Sequence, residues 1–469
     1  MWRHGRWLAC GLLLVCSGVA AADENKDLEL IPEDARAPAA PGAEPPATAD
    51  LRQRIYLGDD LSVSSLRSPS VPFPRPTPPD WQERLFLDLR KQWGLASNLN
   101  FTLSDRFNLR AESDIPFAGH ETVLNEFREG FFSWEPVPGT YLDGGRINLK
   151  SGVAVGFNPT DFFKTRTVVD PTSLDPTALR ENRLGTLMAR AQHIWDGGAF
   201  TVAFAPALYR PTPVYVDTDL RSLDPSFDRT NAHDRLLLKG NADLIGDFST
   251  EALLYREGNR TTLGANLTET LGQSVVLYTE WAGGNTTSLI DQALTYGRQT
   301  GTIPFAAPSV LPLDPHLHFQ NALSVGFSYT TESKIAFNLE YHFNEAGFSH
   351  TDWNNWFRAG RGTGAVSPIA AELWFIRGFA AEQQAPISEH STFLRFDWVD
   401  ALIPNLEITG FVNTDLNDGS SLFQLGADYY LSNAWTVGAL VNADLGVKHS
   451  DFGSLPQAAT IFLTLARYF

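Results

Sequence analysis

Apolar and polar residues alternate with a period of two from about residue 98 to the C-terminus, in runs of ten residues or more. Phe319, Asn321, Leu323, Val325, Phe327 and Tyr329 alternate with His318, Gln320, Ala322, Ser324, Gly326 and Ser328. Ile335, Phe337, Leu339, Tyr341 and Phe343 alternate with Lys334, Ala336, Asn338, Glu340 and His342. Trp435, Val437, Ala439, Val441 and Ala443 alternate with Thr436, Gly438, Leu440, Asn442 and Asp444. This period puts each set on its own face of a strand. One face is apolar and rich in aromatics, and the other is polar. Strands of soluble sandwiches usually run ~5–6 residues, whereas ten residues suit a tilted crossing of a bilayer. The pattern predicts an all-β fold, a transmembrane antiparallel β-barrel.

The N-terminus agrees with export. Arg3 and Arg6 precede an apolar stretch from Trp7 to Val19, and Ala20-Ala21-Ala22 follows ahead of Asp23 and Glu24. That is the order of a secretory signal peptide, so 1–22 is read as one. Both cysteines, Cys10 and Cys16, lie within it. The processed chain would carry no thiol, which excludes disulfides, thiolate metal sites and cysteine nucleophiles. The formal net charge of −18 argues against a nucleic-acid partner. The most apolar later stretch, 368–381, carries Glu372 and Arg377 and is too short for a membrane-crossing helix.

Residues 23–80 hold eleven of the 29 prolines and read as a Pro-rich disordered periplasmic segment. Residues 81–97 fit a strand or one helical face, and are assigned to a helical or plug-like segment before the barrel. The barrel occupies 98–469. Its expected strands are 98–112, 119–134, 138–150, 184–195, 199–208, 232–244, 247–257, 260–271, 274–284, 317–330, 334–344, 389–399, 405–415, 420–431, 435–445 and 457–469. That makes sixteen, with eighteen possible. The long connections 151–183, 209–231, 285–316 and 345–388 all follow odd-numbered strands, and short turns follow the even-numbered ones. A closed barrel with both chain ends in the periplasm requires this sorting. Counting 80–94 as a further strand would make the number odd and move the long loops to the other side.

The last residues, Ile461 to Phe469, alternate and finish on an aromatic C-terminus. They resemble the C-terminal assembly signal of bacterial outer-membrane barrels. That resemblance implies a place in the cell outer membrane, among its lipids and lipopolysaccharide, and delivery by the barrel-assembly machinery through Phe469. Residues 144–152 with 156–163 read Gly-Arg-x-x-x-x-x-Gly followed by Asn-Pro-x-Asp-x-Phe. This strand–loop pattern is similar to one in large outer-membrane barrels, including alginate-export-like and related channel families. It implies a porin-like channel for passive passage of hydrophilic solutes. The alternatives are an exopolysaccharide export channel, or a plugged barrel with a structural or surface-attachment role. Asn158-Pro159 and Asp170-Pro171 are also ordinary turn signals.

Charges on the polar face are the candidate pore lining. The first half of the barrel offers Arg106, Arg110, Arg146, Lys150, Arg190, Arg235 and Lys239. The second half offers Glu280, Glu340, Glu407, Asp415, Asp428 and Asp444, with Lys334 and Arg395 as exceptions. Opposed basic and acidic walls would set up a transverse field; lumenal ion pairs that make burial tolerable fit the same residues. Residues 367–381 read as an amphipathic helix in the loop 345–388, folded inward or lying over the mouth, or equally as an irregular surface loop. Trp353, Trp356, Phe357, Arg358 and Arg361 would suit stacking on sugar rings or an aromatic girdle. His316 and His318 lack a third ligand at metal spacing. With no Gly-x-Ser-x-Gly, Gly-rich phosphate loop or His-Glu-x-x-His, neither enzymatic activity nor a cofactor is expected.

Overall fold

Every strand in this structure hydrogen-bonds to the strands before and after it in sequence. The structure is a computed structural model describing residues 53–74, 78–113, 123–169, 172–211, 225–245, 248–303 and 309–469. The expected leader, 1–22, and the stretch 23–52 lie outside the described residues. The strands are β1 (Gln53–Leu66), β2 (Trp81–Ala96), β3 (Leu99–Glu112), β4 (Val123–Val137), β5 (Thr140–Ile147), β6 (Thr186–Trp195), β7 (Gly198–Ala205), β8 (Arg235–Ile245) and β9 (Phe248–Glu257). They continue as β10 (Arg260–Leu271), β11 (Val275–Thr286), β12 (His318–Thr330), β13 (Ile335–Asn344), β14 (His390–Trp398), β15 (Leu406–Asp415), β16 (Ser421–Ser432), β17 (Trp435–Leu445) and β18 (Gln457–Tyr468). All pair antiparallel, and β1 closes on β18 with Tyr56 opposite Tyr468 and Val63 opposite Ile461. Closure satisfies the edge that an open sheet would leave in lipid.

The fold class is the one the alternation predicts, but the count is eighteen rather than sixteen. The two additional strands come from the segments read as disordered and as plug-like. No proline falls between residues 47 and 68, so β1 is free to join the ladder. Its Leu57, Leu61 and Val63 are exposed, while Asp60 and Ser62 are buried inside. In β2, Leu85 and Leu87 are exposed and Arg84, Phe86 and Asp88 are buried. Two strands added together leave the parity intact. The Pro-rich residues 67–74 and 78–80 thus lie in the β1–β2 connection, at the same end as the other long connections.

The outer face carries Phe107, Leu109, Phe200, Phe204, Leu263, Phe327, Leu339, Leu394 and Leu463, all exposed. The inner face carries Ser104, Arg106, Asn108, Asp143, Asn266, Glu280, Ser324 and Asn338, all buried. No helix of the described residues is long and apolar enough to cross a membrane.

Among the described residues, five α-helices lie in the long loops: α1 (Pro176–Glu181), α2 (Phe227–Thr230), α3 (Leu289–Thr300), α4 (His350–Gly360) and α5 (Pro368–Ala381). A capping box of Ser349 and Asp352 starts α4. Ser367 caps α5, whose first residue is Pro368. Helices α3, α4 and α5 bury Leu289, Leu294, Trp353, Trp356, Leu373, Trp374, Phe375 and Ile376 against one another, with Val71 of the β1–β2 loop. This is a second apolar core, a helical cap at the long-loop end. Helix α5 falls where the sequence placed a helix, but it is not amphipathic: Ala370, Leu373 to Arg377, Phe379 and Ala380 are all buried. A helix with buried apolar residues on most of its sides belongs inside a core.

Candidate functional site: a loop latched across the lumen

The β5–β6 loop, 148–185, folds into the barrel instead of away from it. Glu280 of β11 is fully buried and points at this loop. Its Oε2 accepts from the backbone N–H of Val153 at 2.9 Å and of Ala154 at 3.1 Å. Its Oε1 accepts from the Thr160 N–H at 2.7 Å and the Thr160 hydroxyl at 2.8 Å. Glu340 of β13 does the same two residues on, accepting from Val155 N–H at 2.6 Å and Gly156 N–H at 2.9 Å. The Tyr278 hydroxyl donates to Glu340 at 2.7 Å, and His342 Nε2 lies 2.7 Å from it. An irregular backbone held inside a barrel needs partners for its N–H groups, and these two carboxylates supply them.

The motif singled out in the sequence is this latch. Gly152 has φ +91°, and a Cβ there would stand 2.5 Å from the Glu280 carboxylate. A Cβ on Gly156 would stand 2.6 Å from the Phe393 ring. Both approaches need glycine. Asn158 donates to the Ala154 carbonyl and to Glu280. Asp161 pairs with Arg183 at 2.8 Å, and Arg180 stands 3.8 Å away. Burial alone would raise the Asp161 pKa, but Arg183 and Arg180 outweigh it and hold the carboxyl below its ordinary value. Phe163 packs edge-on to Tyr255, ring centres 5.8 Å apart.

Beyond Asp161 the loop reaches the other walls. Leu174 N–H donates to Gln424 of β16 at 2.7 Å, and Arg395 of β14 donates to Asp175 at 2.7 Å. Arg106 of β3 and Arg128 of β4 both donate to Asn182, each at 3.2 Å. The loop therefore touches the inner wall on opposite sides of the lumen.

The expected pore-lining residues fall as follows. Arg106, Arg146, Arg235, Lys239, Glu280, Glu340 and Glu407 are buried inside the barrel, and Arg110 and Arg190 are partly buried on the same faces. Lys150 is a correction: β5 stops at Ile147, so Lys150 lies in the loop and pairs with Glu181. Lys334 is another, lying in the β12–β13 turn, 2.8 Å from Asp400.

The opposed walls do not survive as a simple field. Arg106 pairs with Asp88 at 2.8 Å, Arg190 with Asp143 at 2.6 Å, Arg235 with Glu257 at 2.8 Å and Lys239 with Glu251 at 3.2 Å. Each basic side chain thus meets a carboxylate from the strand beside it. Arg146 donates to the Gly185 carbonyl at 2.8 Å and lies over Phe127 and Phe227, where it fixes the loop. Glu407 accepts from the Tyr430 hydroxyl, and Asp415 from Ser388. Sequence reasoning missed Arg128, which pairs with Asp88 at 2.8 Å. It is the extra residue of a bulge, since Ser104 faces Glu129 and Asp105 faces Phe127.

The cap rests on the latched loop. Arg166 N–H donates to the Glu382 carbonyl at 2.9 Å, and Gln384 donates to Lys164 O and, at 3.2 Å, to Thr167. Arg229 donates to the carbonyls of Arg166 and Val168, each at 3.0 Å. Trp353 and Trp356 neither stack on a sugar nor form a girdle, for both are buried in the cap. Their indole N–H groups donate to Ser388 at 2.8 Å and the Leu373 carbonyl at 3.1 Å.

No protein-family model and no curated protein matches the sequence. Among solved structures, OccK8 (OprE) of Pseudomonas aeruginosa gives a TM-score of 0.50 at 9% identity, over 89% of this chain and 98% of that one. OccK11 (OpdR) of the same organism gives 0.47 at 10% identity, over 89% and 95%. A mutant of the Rh. blastica porin gives 0.37 at 10%, over 89% and 99%. At such identities the likeness is one of fold: this chain is built as a closed, porin-type β-barrel.

Proposed function

We propose that the protein is an outer-membrane channel for passive passage of small hydrophilic solutes, with the loop 148–185 as its constriction. The observation that carries this is a closed eighteen-stranded wall with an apolar outside and a charged inside, crossed by one latched loop. Paired charges inside favour solutes that exchange hydrogen bonds with a polar wall over ions of one sign. The cap resting on the loop favours a second reading, a barrel plugged at rest.

Single-channel recording in planar bilayers separates the two. Small stable conductance steps are expected from the full chain. If neither the full chain nor a variant with a released loop conducts, the channel reading fails. Orientation is tested by labelling intact cells with an impermeant maleimide. Val366→Cys, in the exposed α4–α5 connection, should label, and Ser274→Cys, in the β10–β11 turn, should not. The reverse pattern would invert the barrel.

Lys164 gives a pH signature. Its ammonium donates to the Asn158 carbonyl at 2.6 Å and lies 4.6 Å from the Phe157 ring centre. Burial pushes its pKa down to about 8. As pH rises through that value the loop loses one positive charge, so selectivity should move toward cations. Lys164→Met should already sit at the high-pH value and show no such step in reversal potential. A step that persists in the variant would place the titrating group elsewhere.

A further inference from the structure

The end of α4 and the β17–β18 loop enclose an open cavity of about 340 Å³ lined by Asn354, Phe357, Arg358, Arg361 and His449. The arginines here differ from many others in the chain. Arg84, Arg106, Arg128, Arg183, Arg190, Arg235, Arg377 and Arg395 each meet a carboxylate. Among the described residues, the side chains of Arg358 and Arg361 meet none, and both are exposed. A helix C-terminus favours a cation, which explains one arginine there. It does not explain two arginines that line one cleft together with an imidazole, in a chain of net charge −18.

The remaining lining narrows the ligand. His449 stands edge-on to Phe357 with ring centres 5.5 Å apart, which seats the imidazole against an aromatic ring. Asn354 adds a carboxamide that both donates and accepts. Guanidinium groups bind carboxylate and phosphate through paired N–H bonds. The cavity exceeds what one oxyanion fills and reaches the range of small-molecule sites, which begins at ~300 Å³. We propose that this cleft binds an anionic sugar at the outer surface, Arg358 and Arg361 clasping its carboxylate or phosphate while Asn354 and His449 meet the ring. The site lies on the long-loop end and does not depend on whether the barrel conducts. Its ligand has two sources with one chemistry, a soluble acidic saccharide or the phosphorylated core of lipopolysaccharide.

The test uses the full chain in detergent. Trigalacturonate and glucose 6-phosphate are titrated calorimetrically, with maltotriose as the neutral control, and lipopolysaccharide retained through purification is quantified by its phosphate. Arg358→Ala with Arg361→Ala should weaken binding of an acidic sugar at least ten-fold, lower the retained lipopolysaccharide, or do both. Which arm responds identifies the source. Arg358→Lys with Arg361→Lys keeps the charge but loses the fork, so it should fall between. The double alanine variant must keep the heat-modifiable electrophoretic shift of the folded barrel; if it does not, the lysine pair and added salt serve as the comparison. Equal binding of maltotriose overturns the proposal. So does wild-type behaviour of both variants, or a wild-type chain that takes up neither sugar and retains no lipopolysaccharide.

Discussion

Replacing Glu280 and Glu340 together by alanine is expected to raise single-channel conductance several-fold. The two carboxylates accept from the backbone N–H groups of Val153, Ala154, Val155, Gly156 and Thr160. Without them these donors would be buried and unpartnered, at a cost of ~1–3 kcal/mol each. That penalty is avoided if the segment leaves the wall and water replaces the carboxylates. The barrel itself should persist, because its strand ladder closes without the loop. Heat-modifiable migration should therefore stay normal while the conductance steps grow. Glu280→Gln should have a smaller effect, since one amide oxygen still accepts but the amide nitrogen faces N–H donors. Unchanged steps in the double variant would show that the loop does not set the constriction.

Alternation and loop parity were enough to read a closed barrel, because lipid outside and water inside impose opposite chemistry on successive residues. Parity, however, admits any even number of strands. Averaging composition over 23–80 hides the proline-free stretch that forms β1, and the prolines that follow it belong to a loop. With β1 hidden, β2 alone broke the parity and was displaced to a plug. One omission thus caused both errors.

The site was legible in part. Gly152, Asn158 and Asp161 are fixed positions of a recognisable motif, and the structure shows each making a contact that needs its residue type. Their partners were not legible as partners. Glu280 lies 120 residues from Thr160 in sequence, and no periodicity connects an irregular loop to the wall it touches. Cross-strand pairs such as Arg106 with Asp88 depend on register, and β2 had been assigned to another element. Arg128 escaped because a bulge shifts the phase of β4 by one residue, which moves side chains between faces. The Trp residues of α4 were misplaced for a different reason: aromatic residues in a loop suit a surface girdle, a ligand or a core, and tertiary packing chose the core.

Arg377→Met should open the helical cap while leaving the barrel closed. Arg377 is buried in α5, where every other buried residue is apolar. It donates to Asp451 Oδ1 at 2.5 Å, to the Asp451 carbonyl at 2.6 Å and to Ser454 at 2.6 Å. Its guanidinium lies 5.4 Å from the rings of Trp353 and Trp374 and 5.9 Å from Trp356. This side chain carries the charged tie between the cap and the β17–β18 loop, beside the ring contact of His449 with Phe357. Methionine fills similar space but leaves the Asp451 carboxylate buried without its cation, and breaking a buried pair this way costs ~3–5 kcal/mol. Because Arg358 and Arg361 are exposed on the cap, trypsin cleavage after them should accelerate, with faster amide exchange across α5. Adding Asp451→Asn removes the stranded charge, so the double variant should recover much of the lost protection. Loosening the cap should also free the loop at 164–167, which meets it through Glu382 and Gln384, and make the open-channel current noisier. The Glu280 latch is untouched, so the mean step should change far less than in the Glu280 and Glu340 variant. Equal cleavage rates in wild type and Arg377→Met would show that apolar packing alone holds the cap, and that the buried ion pair adds nothing to its closure.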